Sequence, residues 1–553
     1  MRHGHKPSCG RPTHLAGVKM TTSSYSNVDQ LAAEISTEPR STVPLDTAVI
    51  GWNLDQIRTF DPGMIGEINA ALIIQNIYRP LVTFDYGSPP KIIPGIASSW
   101  SRSADGLTLV FKLTPGLRFP SGRLLTSDDV VWSLRRVLHL DGFGAVALRS
   151  WGFAESDAAR CFEAVDPETV VVRLDKPYPS DLILSAVFAG RLASVLDKRE
   201  VEKHSLNGDY GSEWLKSNSA GMGPFRITGW NHNCSLTLDR NENWTGGPMP
   251  TMRRVIVRHI PDPVVQCSEL ERGNIDVAML LRPEDLSRLA ASNRARVISV
   301  LQAGSEYLAL NLQDPILGRP EVVQAFRWMV DYQGLRSGLL KYEGIPRSSM
   351  VPLNAFGALG EFDGLPYRMD LDRARQLLLE AGVTHGFRRT MLLAEVWPVH
   401  LPLGRHIQES AAKLGIEIDL EPVAQKILFE RGRKREFDMM LHGWVSGYPD
   451  AHAILARMAV NPDNRLEARL ISYPSWRVGF KSEWVNDMAQ QALMECDPNR
   501  RQTMYHALQL WLMRFGPNVH IYQNSRPQAL GTWVSQFHQS AYQMGFDTIK
   551  KHH

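Results

Sequence analysis

The densest concentration of recognition chemistry lies in Leu441-His442-Gly443-Trp444-Val445-Ser446-Gly447-Tyr448-Pro449-Asp450. Gly443 and Gly447 let backbone approach a ligand closely, and Trp444 and Tyr448 offer flat apolar rings with polar tips. The stretch follows the strand-like Phe437-Asp438-Met439-Met440, and strand ends carrying such loops are where open α/β sheets bind ligands. Bond-making chemistry is harder to find. There is no G-x-S-x-G elbow, no G-x-x-x-x-G-K-[ST] phosphate loop and no H-E-x-x-H helix. No dinucleotide fingerprint follows the first strand. The 17 histidines are scattered. His400 and His406 fall on different faces if their segment is helical, and no pair of carboxylates is marked by spacing. The five cysteines, Cys9, Cys161, Cys234, Cys267 and Cys496, are odd in number and form no CxxC pair, so neither a zinc cluster nor a redox motif is expected. One structural disulfide is compatible with the count, with no pair singled out. These residues leave an enzyme open but unsupported, and they mark no metal or cofactor site.

The elements that must position these residues are legible as short strands alternating with amphipathic helices, the pattern of α/β architecture. Thr47-Ala48-Val49-Ile50-Gly51-Trp52 reads as a first strand, and residues 107–113 and 169–174 as further strands. Thr126-Ser127-Asp128-Asp129 starts a helix, with a capping threonine and acids at the positive end of the dipole. Asp370 starts another that stops at Gly382. Asp497-Pro498 starts a third, running to Gly516-Pro517. Their apolar stripes predict core packing.

Composition bounds the class. A chain of 553 residues predicts three or four domains, or fewer large ones. Charged residues are 22% and the net charge is +3. A surplus so small gives no electrostatic case for nucleic acid or an anionic membrane. No apolar run approaches the roughly 18–20 residues that span a bilayer. Residues 1–42 are polar and rich in Ser, Thr and His, and are expected to be disordered. They hold no apolar core of the kind a secretory signal needs, which predicts an altered or incomplete start, or a protein that stays inside the cell.

Several blocks taken together resemble the bacterial extracellular solute-binding proteins of family 5, the peptide, nickel and related receptors of ABC importers. Asn76-Ile77-Tyr78-Arg79-Pro80-Leu81-Val82 is similar to the family's N-[IL]-Y-[ED]-x-L-[VL]. Pro94 to Trp100 resembles P-x-L-A-x-S-W. Pro115 to Gly122, then Leu125 to Val130, match [KR]-x-G-[VL]-x-F-x-x-G-x-x-[FL]-T-A-x-D-V, the most specific segment. Gly221 to Phe225, Arg240 to Trp244, Glu271 to Asp276, Tyr307 to Asn311, Ala381 to Phe387, Gly443 to Asp450, and Asp497 to Arg501 with Ile521-Tyr522 continue the series. The blocks keep their order from about residue 43 to 530.

The resemblance implies a two-lobed periplasmic binding protein of α/β class (type II, cluster C-like), with a hinge and an extra inserted subdomain. Lobe I is expected at 43–90, 221–305 and 520–553, the inserted subdomain at 91–220 and lobe II at 306–519. It implies a monomeric, periplasmic receptor that closes on a small-molecule ligand and delivers it to ABC permease membrane subunits, without covalent chemistry. Matched positions nominate Met64, Ile65 and Gly66 after Asp61-Pro62, Trp397 and His400 after Met391-Leu392-Leu393, Arg431 of the Arg431/Arg433/Arg435 cluster, and Trp444, Val445, Ser446, Gly447, Tyr448 and Asp450. An arginine of that cluster matches a carboxylate or phosphate with its fork. One departure bears on the ligand. Peptide-binding members carry an aspartate five positions into G-W-x-x-D, where it pairs with the ligand's α-amine, and here that position is Gly447. An ammonium buried there would stay unpaired. Asp450 replaces the aspartate only if the loop differs, and otherwise caps the helix after it. The expected ligand is peptide-like, a modified peptide, or an opine or sugar conjugate. Nickel chelates are less favoured, with His442 and His452 the histidines to watch. The alternatives are an intracellular ligand sensor that reuses the fold and, with no support, a hydrolase.

Overall fold

The computed structural model describes residues 41–279 and 281–552. The segment expected to lack a fold, residues 1–42, lies outside them except for its end, where the Thr42 amide donates to the Gly273 carbonyl at 3.0 Å. Cys9 is also outside. The described cysteines are free.

The helix starts follow their caps. Ser127–His139 opens on a capping box, in which Thr126 and Asp129 satisfy each other's end groups, and it buries Val130, Val131, Leu134, Val137 and Leu138. Asp370 accepts from the Arg373 amide to start Leu371–Glu380, and Gly382 leaves that helix at φ +73°. Asp497 caps Pro498–Phe515. Strands form at Thr47–Trp52, Thr108–Leu113 and Thr169–Arg173. One difference matters. The segment after Met440, expected as loop, continues as strand Met439–Val445, because Gly304–Leu310 supplies an antiparallel partner along its whole length.

Strands of both lobes share one mixed sheet. Its order begins Glu417–Val423, Arg388–Ala394, Met439–Val445 and Gly304–Leu310. It continues through Asn518–Gly531 to Val277–Ala278, Thr47–Trp52, Arg254–His259, Ser235–Arg240 and Phe225–Asn231. The long strand Asn518–Gly531 joins the halves. Its first part pairs with Gly304–Leu310 and Gly344–Pro346, and from Ser525 onward it pairs with Ala295–Leu301. The change of partner falls between Asn524 and Ser525, and the second crossing is Gln302-Ala303. The lobe limits read at 305/306 and 519/520 fall inside these strands. The buried Gln523 side chain ties the crossings together, donating to the Gln302 carbonyl at 2.8 Å and accepting from the Leu353 amide at 2.9 Å.

Each half buries its own core. In the first, Ile50, Phe60, Ile73, Leu238 and Val257 pack together. In the second, Leu308, Phe326, Met391 and Ile418 form one cluster and Tyr307, Leu392, Leu428 and Ile454 another. A separate four-stranded antiparallel sheet, Ala97–Arg102, Thr108–Leu113, Thr169–Arg173 and Phe162–Asp166, packs on helix Ser127–His139 around Phe111, Leu134 and Phe188.

Candidate functional site

A cleft of about 560 Å³ is walled by both halves and by the crossing strand. The first half contributes Trp52, Asn53, Gly66 to Asn69 and Met279. The second contributes Glu306, Val396 to His400 and Phe429. The crossing strand contributes Tyr522 and Asn524 to Pro527. Such a mixture of apolar wall and few polar groups is usual for a small-molecule site.

The first wall is set by a buried ion pair. Arg136 grips Asp61 with both ends of its fork, at 2.8 and 2.7 Å, and neither side chain is exposed. Asp61 in turn accepts from the Gly63 amide at 3.0 Å, and its carbonyl takes the Met64 and Ile65 amides. The turn therefore has one shape, which delivers Gly66 to the cleft. Ile65 points into the first core, and the half-exposed Met64 places its sulfur beside Gly142.

The second wall follows strand Arg388–Ala394. Trp397, 40% exposed, stacks on His400 with ring centroids 5.6 Å apart. The Nδ1 of His400 accepts from the Ala394 amide at 3.4 Å, which assigns the proton to Nε2, 3.4 Å from Glu306 Oε2. Glu306 is buried in a strand whose every residue is buried. Its carboxylate occupies the space a Cβ would need at Gly443, only 2.2 Å from Oε1. Asn524 Nδ2 donates to the same carboxylate at 3.4 Å and leaves its own Oδ1 without a partner. Arg526 Nη2 donates to Gln302 Oε1, while its Nη1 has no partner. Burial lowers the Arg526 guanidinium to about 10 and pushes the Glu343 carboxyl up to about 7.

The Gly443–Asp450 segment is distributed over several environments. Trp444 and Val445 are strand residues opposite Ser305 and Gly304, and the Trp444 ring packs on the second half's core. Ser446 is buried, its amide donating to the Ala303 carbonyl at 2.7 Å and its Oγ unpartnered. Gly447 is exposed, and a Cβ there would meet nothing within 4 Å. Tyr448 reaches across to Trp151 of the inserted sheet's domain, at 6.2 Å. Asp450 is committed elsewhere. It caps helix Ala451–Met458 by accepting from the His452 amide, and it binds Arg501 Nη2 at 2.5 Å with both side chains 4% exposed. Arg431 pairs with Glu421 at 2.8 Å near Thr390 and Asp438, at the start of the strands whose far ends carry Trp397 and Trp444. Of the nominated residues, Gly66, Trp397 and His400 thus line one cleft, and Gly447 lines a neighbouring cavity. Ile65, Trp444, Asp450 and Arg431 are held in core contacts or ion pairs.

Sequence reasoning passed over Glu306, Glu343, Asn524 and Arg526. Glu306 had a usable signal, an acid inside the otherwise apolar run Gly304–Leu310. The other three acquire meaning only where the crossing strand changes partner. Among the described residues no cluster of His, Cys, Asp and Glu is arranged to hold a metal ion, and no helix is long and apolar enough to cross a membrane.

Residues 91–465 match the family model for bacterial extracellular solute-binding proteins, family 5 Middle. The probable D,D-dipeptide-binding periplasmic protein DdpA of Escherichia coli (strain K12) is 26% identical over 499 residues, covering 90% of this chain and 92% of the relative. The dipeptide-binding protein of the same organism is 24% identical, covering 78% and 81%. Among solved structures, the ABC transporter-associated periplasmic binding protein DppA from Helicobacter pylori in complex with peptide STSA superposes at a TM-score of 0.73. It is 22% identical and covers 91% of this chain and 98% of its own.

Proposed function

This chain belongs to the bacterial extracellular solute-binding proteins of family 5, and from that premise we propose the solute it captures and how it is held. The protein is a two-lobed receptor of the ABC-importer type. A small solute enters the cleft between Gly66 on one lobe and Trp397 and His400 on the other, and the lobes close over it. Contacts made only in the closed state shift the population toward closure, and a permease reads that state. No covalent step is needed. The chain acts as a monomer in the periplasm.

The observation that carries the reading is the cleft itself, walled by both lobes and floored by the strand that joins them. Relatives named for dipeptides and D,D-dipeptides favour a peptide-scale solute. Gly447 favours one that is not held by a free α-amine at that position, because Asp450 is already bound to Arg501 and offers no replacement. A modified peptide or an opine or sugar conjugate meets both conditions.

Native mass spectrometry of the purified protein, followed by extraction of the bound solute, tests this. The expected result is one small solute that raises the melting temperature when added back and is recovered unchanged. Recovery of a turnover product, or of a plain dipeptide whose amine contacts residue 447, would contradict it. Fractionation of cells expressing the native gene checks the location.

A further inference from the structure

A second cavity, of about 290 Å³, adjoins the first-lobe helix Ile68–Ile74 at Ala71 and Ile74. The first lobe and the inserted part build nearly all of it, and Gly447 touches it from the second lobe. The sign of its lining is the informative feature. Arg79 and Arg191 both face it. Arg79 donates to the Gly246 carbonyl at 3.2 Å and rests on the Trp244 ring at 5.1 Å. Arg191 lies 5.0 Å from the Phe143 ring, and its buried Nε has no partner. Among the described residues neither guanidinium forms an ion pair. Tyr78 and Tyr542 also line the cavity, but the Tyr78 hydroxyl lies beside the Ala220 backbone in the field of Asp61 and Arg136, and the Tyr542 hydroxyl lies in the field of Asp450, so neither is counted among its donors. Two guanidinium groups without an ion pair therefore line one small space, and a buried donor left unmet, as Arg191 Nε is, is unfavourable unless something accepts from it.

The negative groups nearby do not supply that acceptor. Asp547 is the acid on the wall, and among the described residues it forms no ion pair with Arg79 or Arg191. Glu67 acts on Arg191 only through its field, from the wall of the larger cleft. Burial lowers Arg79 to about 10, which leaves it charged at neutral pH. Two departures from the family blocks meet at this place. Arg79 stands where the Asn76–Val82 block carries an acid, and Gly447 stands where the later block carries aspartate. At Gly447 a side chain would find open space, so the carboxylate is absent although there is room for it.

We propose that this cavity is an oxyanion subsite, which takes a carboxylate or phosphate of the solute between Arg79 and Arg191, under the Gly447 loop. Guanidinium forks match such oxygens. The end of the site that would hold an ammonium if residue 447 were aspartate holds an anion here. The inference rests on the receptor reading above and narrows it to anionic solutes.

Calorimetric titration of the full chain with inorganic phosphate and with acetate tests it, using Arg191→Gln, Gly447→Asp and, as a control, Phe362→Ser at an 89% exposed position. The expected result is millimolar or tighter binding of at least one anion, weakened about tenfold or more by the first two substitutions and unchanged by the control. Binding of phosphate alone assigns a phosphate-bearing solute, and binding of acetate alone a carboxylate. Gly447→Asp fills open space, so it reports even if Arg191→Gln fails to fold. Affinity undiminished in both variants overturns the proposal, as does no binding of either anion. The co-purified solute separates the two levels. A neutral or cationic solute keeps the receptor and overturns the subsite, whereas no solute, with no ligand stabilising the fold, removes the receptor reading itself.

Discussion

Trp397 and Trp444 illustrate how equal residue types diverge in role. Both are tryptophans beside glycine or proline, and both are candidate stacking surfaces in the sequence. Trp397 is left 40% exposed on the cleft wall, while Trp444 is packed on a core. Trp397→Ala is therefore expected to weaken the co-purified solute by about 1.5–3 kcal/mol, as for a desolvated aromatic anchor, with the melting temperature of the empty protein unchanged. Calorimetry with the extracted solute measures it, and equal affinity removes Trp397 from the site. Asp450 is the opposite case. Its carboxylate is buried against Arg501, so Arg501→Met strands a charge in the interior. The loss is expected to be about 3–5 kcal/mol in urea unfolding. A loss under about 1 kcal/mol would show that water reaches the pair.

At the scale of elements, the crossing strand Asn518–Gly531 governs the site. It presents Tyr522, Asn524 and Arg526 to the cleft and carries the connection between lobes. Gln523 locks it to Gln302 and Leu353. Gln523→Ala leaves a buried carbonyl and a part-buried amide without partners, which is expected to destabilise by roughly 1–3 kcal/mol. Urea unfolding reads the loss, and solute affinity should fall with it, because the strand's register also places Asn524 on Glu306. Gly443, on strand Met439–Val445, bears on the same contact, since a Cβ there would meet the Glu306 carboxylate and force it to shift.

For the whole molecule, stability should depend on acid through buried histidines. His442 and His520 are 8% and 5% exposed, and burial pushes both from 6.5 down to about 3. Between about pH 6.5 and 3 the unfolded chain then binds more protons than the folded one. Their contribution is intact above pH 6.5 and is lost progressively as pH falls toward 3. At pH 5 each subtracts about 2 kcal/mol. Thermal melts should therefore fall from pH 7 to pH 5, by less than the histidines alone would give. The Glu343 carboxyl, raised to about 7, takes up a proton in the folded state over the same range and opposes them. His442→Gln should flatten part of the histidine slope. A His442→Gln variant with the same pH slope as the parent would mean that this imidazole is already charged in the folded state.

The sequence by itself determined the family, the α/β class and the capped helices, because those rest on local patterns. A capping residue, a glycine at a helix end and an ordered series of blocks are all short-range signals. It also singled out Gly447, because a missing carboxylate can be read from one position. The tertiary structure alone decided which nominated residues share a cleft. Asp450 reads in the sequence as a substitute aspartate or as a helix cap; it is the cap, and Arg501 on another helix also claims it. Arg431 looks like a ligand arginine, yet its helix leaves it at the opposite end of the strands, beside Glu421. Glu306 and Asn524 meet because a strand changes partners between residues 524 and 525, and Arg79, Arg191 and Gly447 meet through folding of three distant segments. Such encounters depend on long-range pairing and on what each side chain finds across the sheet, which spacing along one chain does not encode.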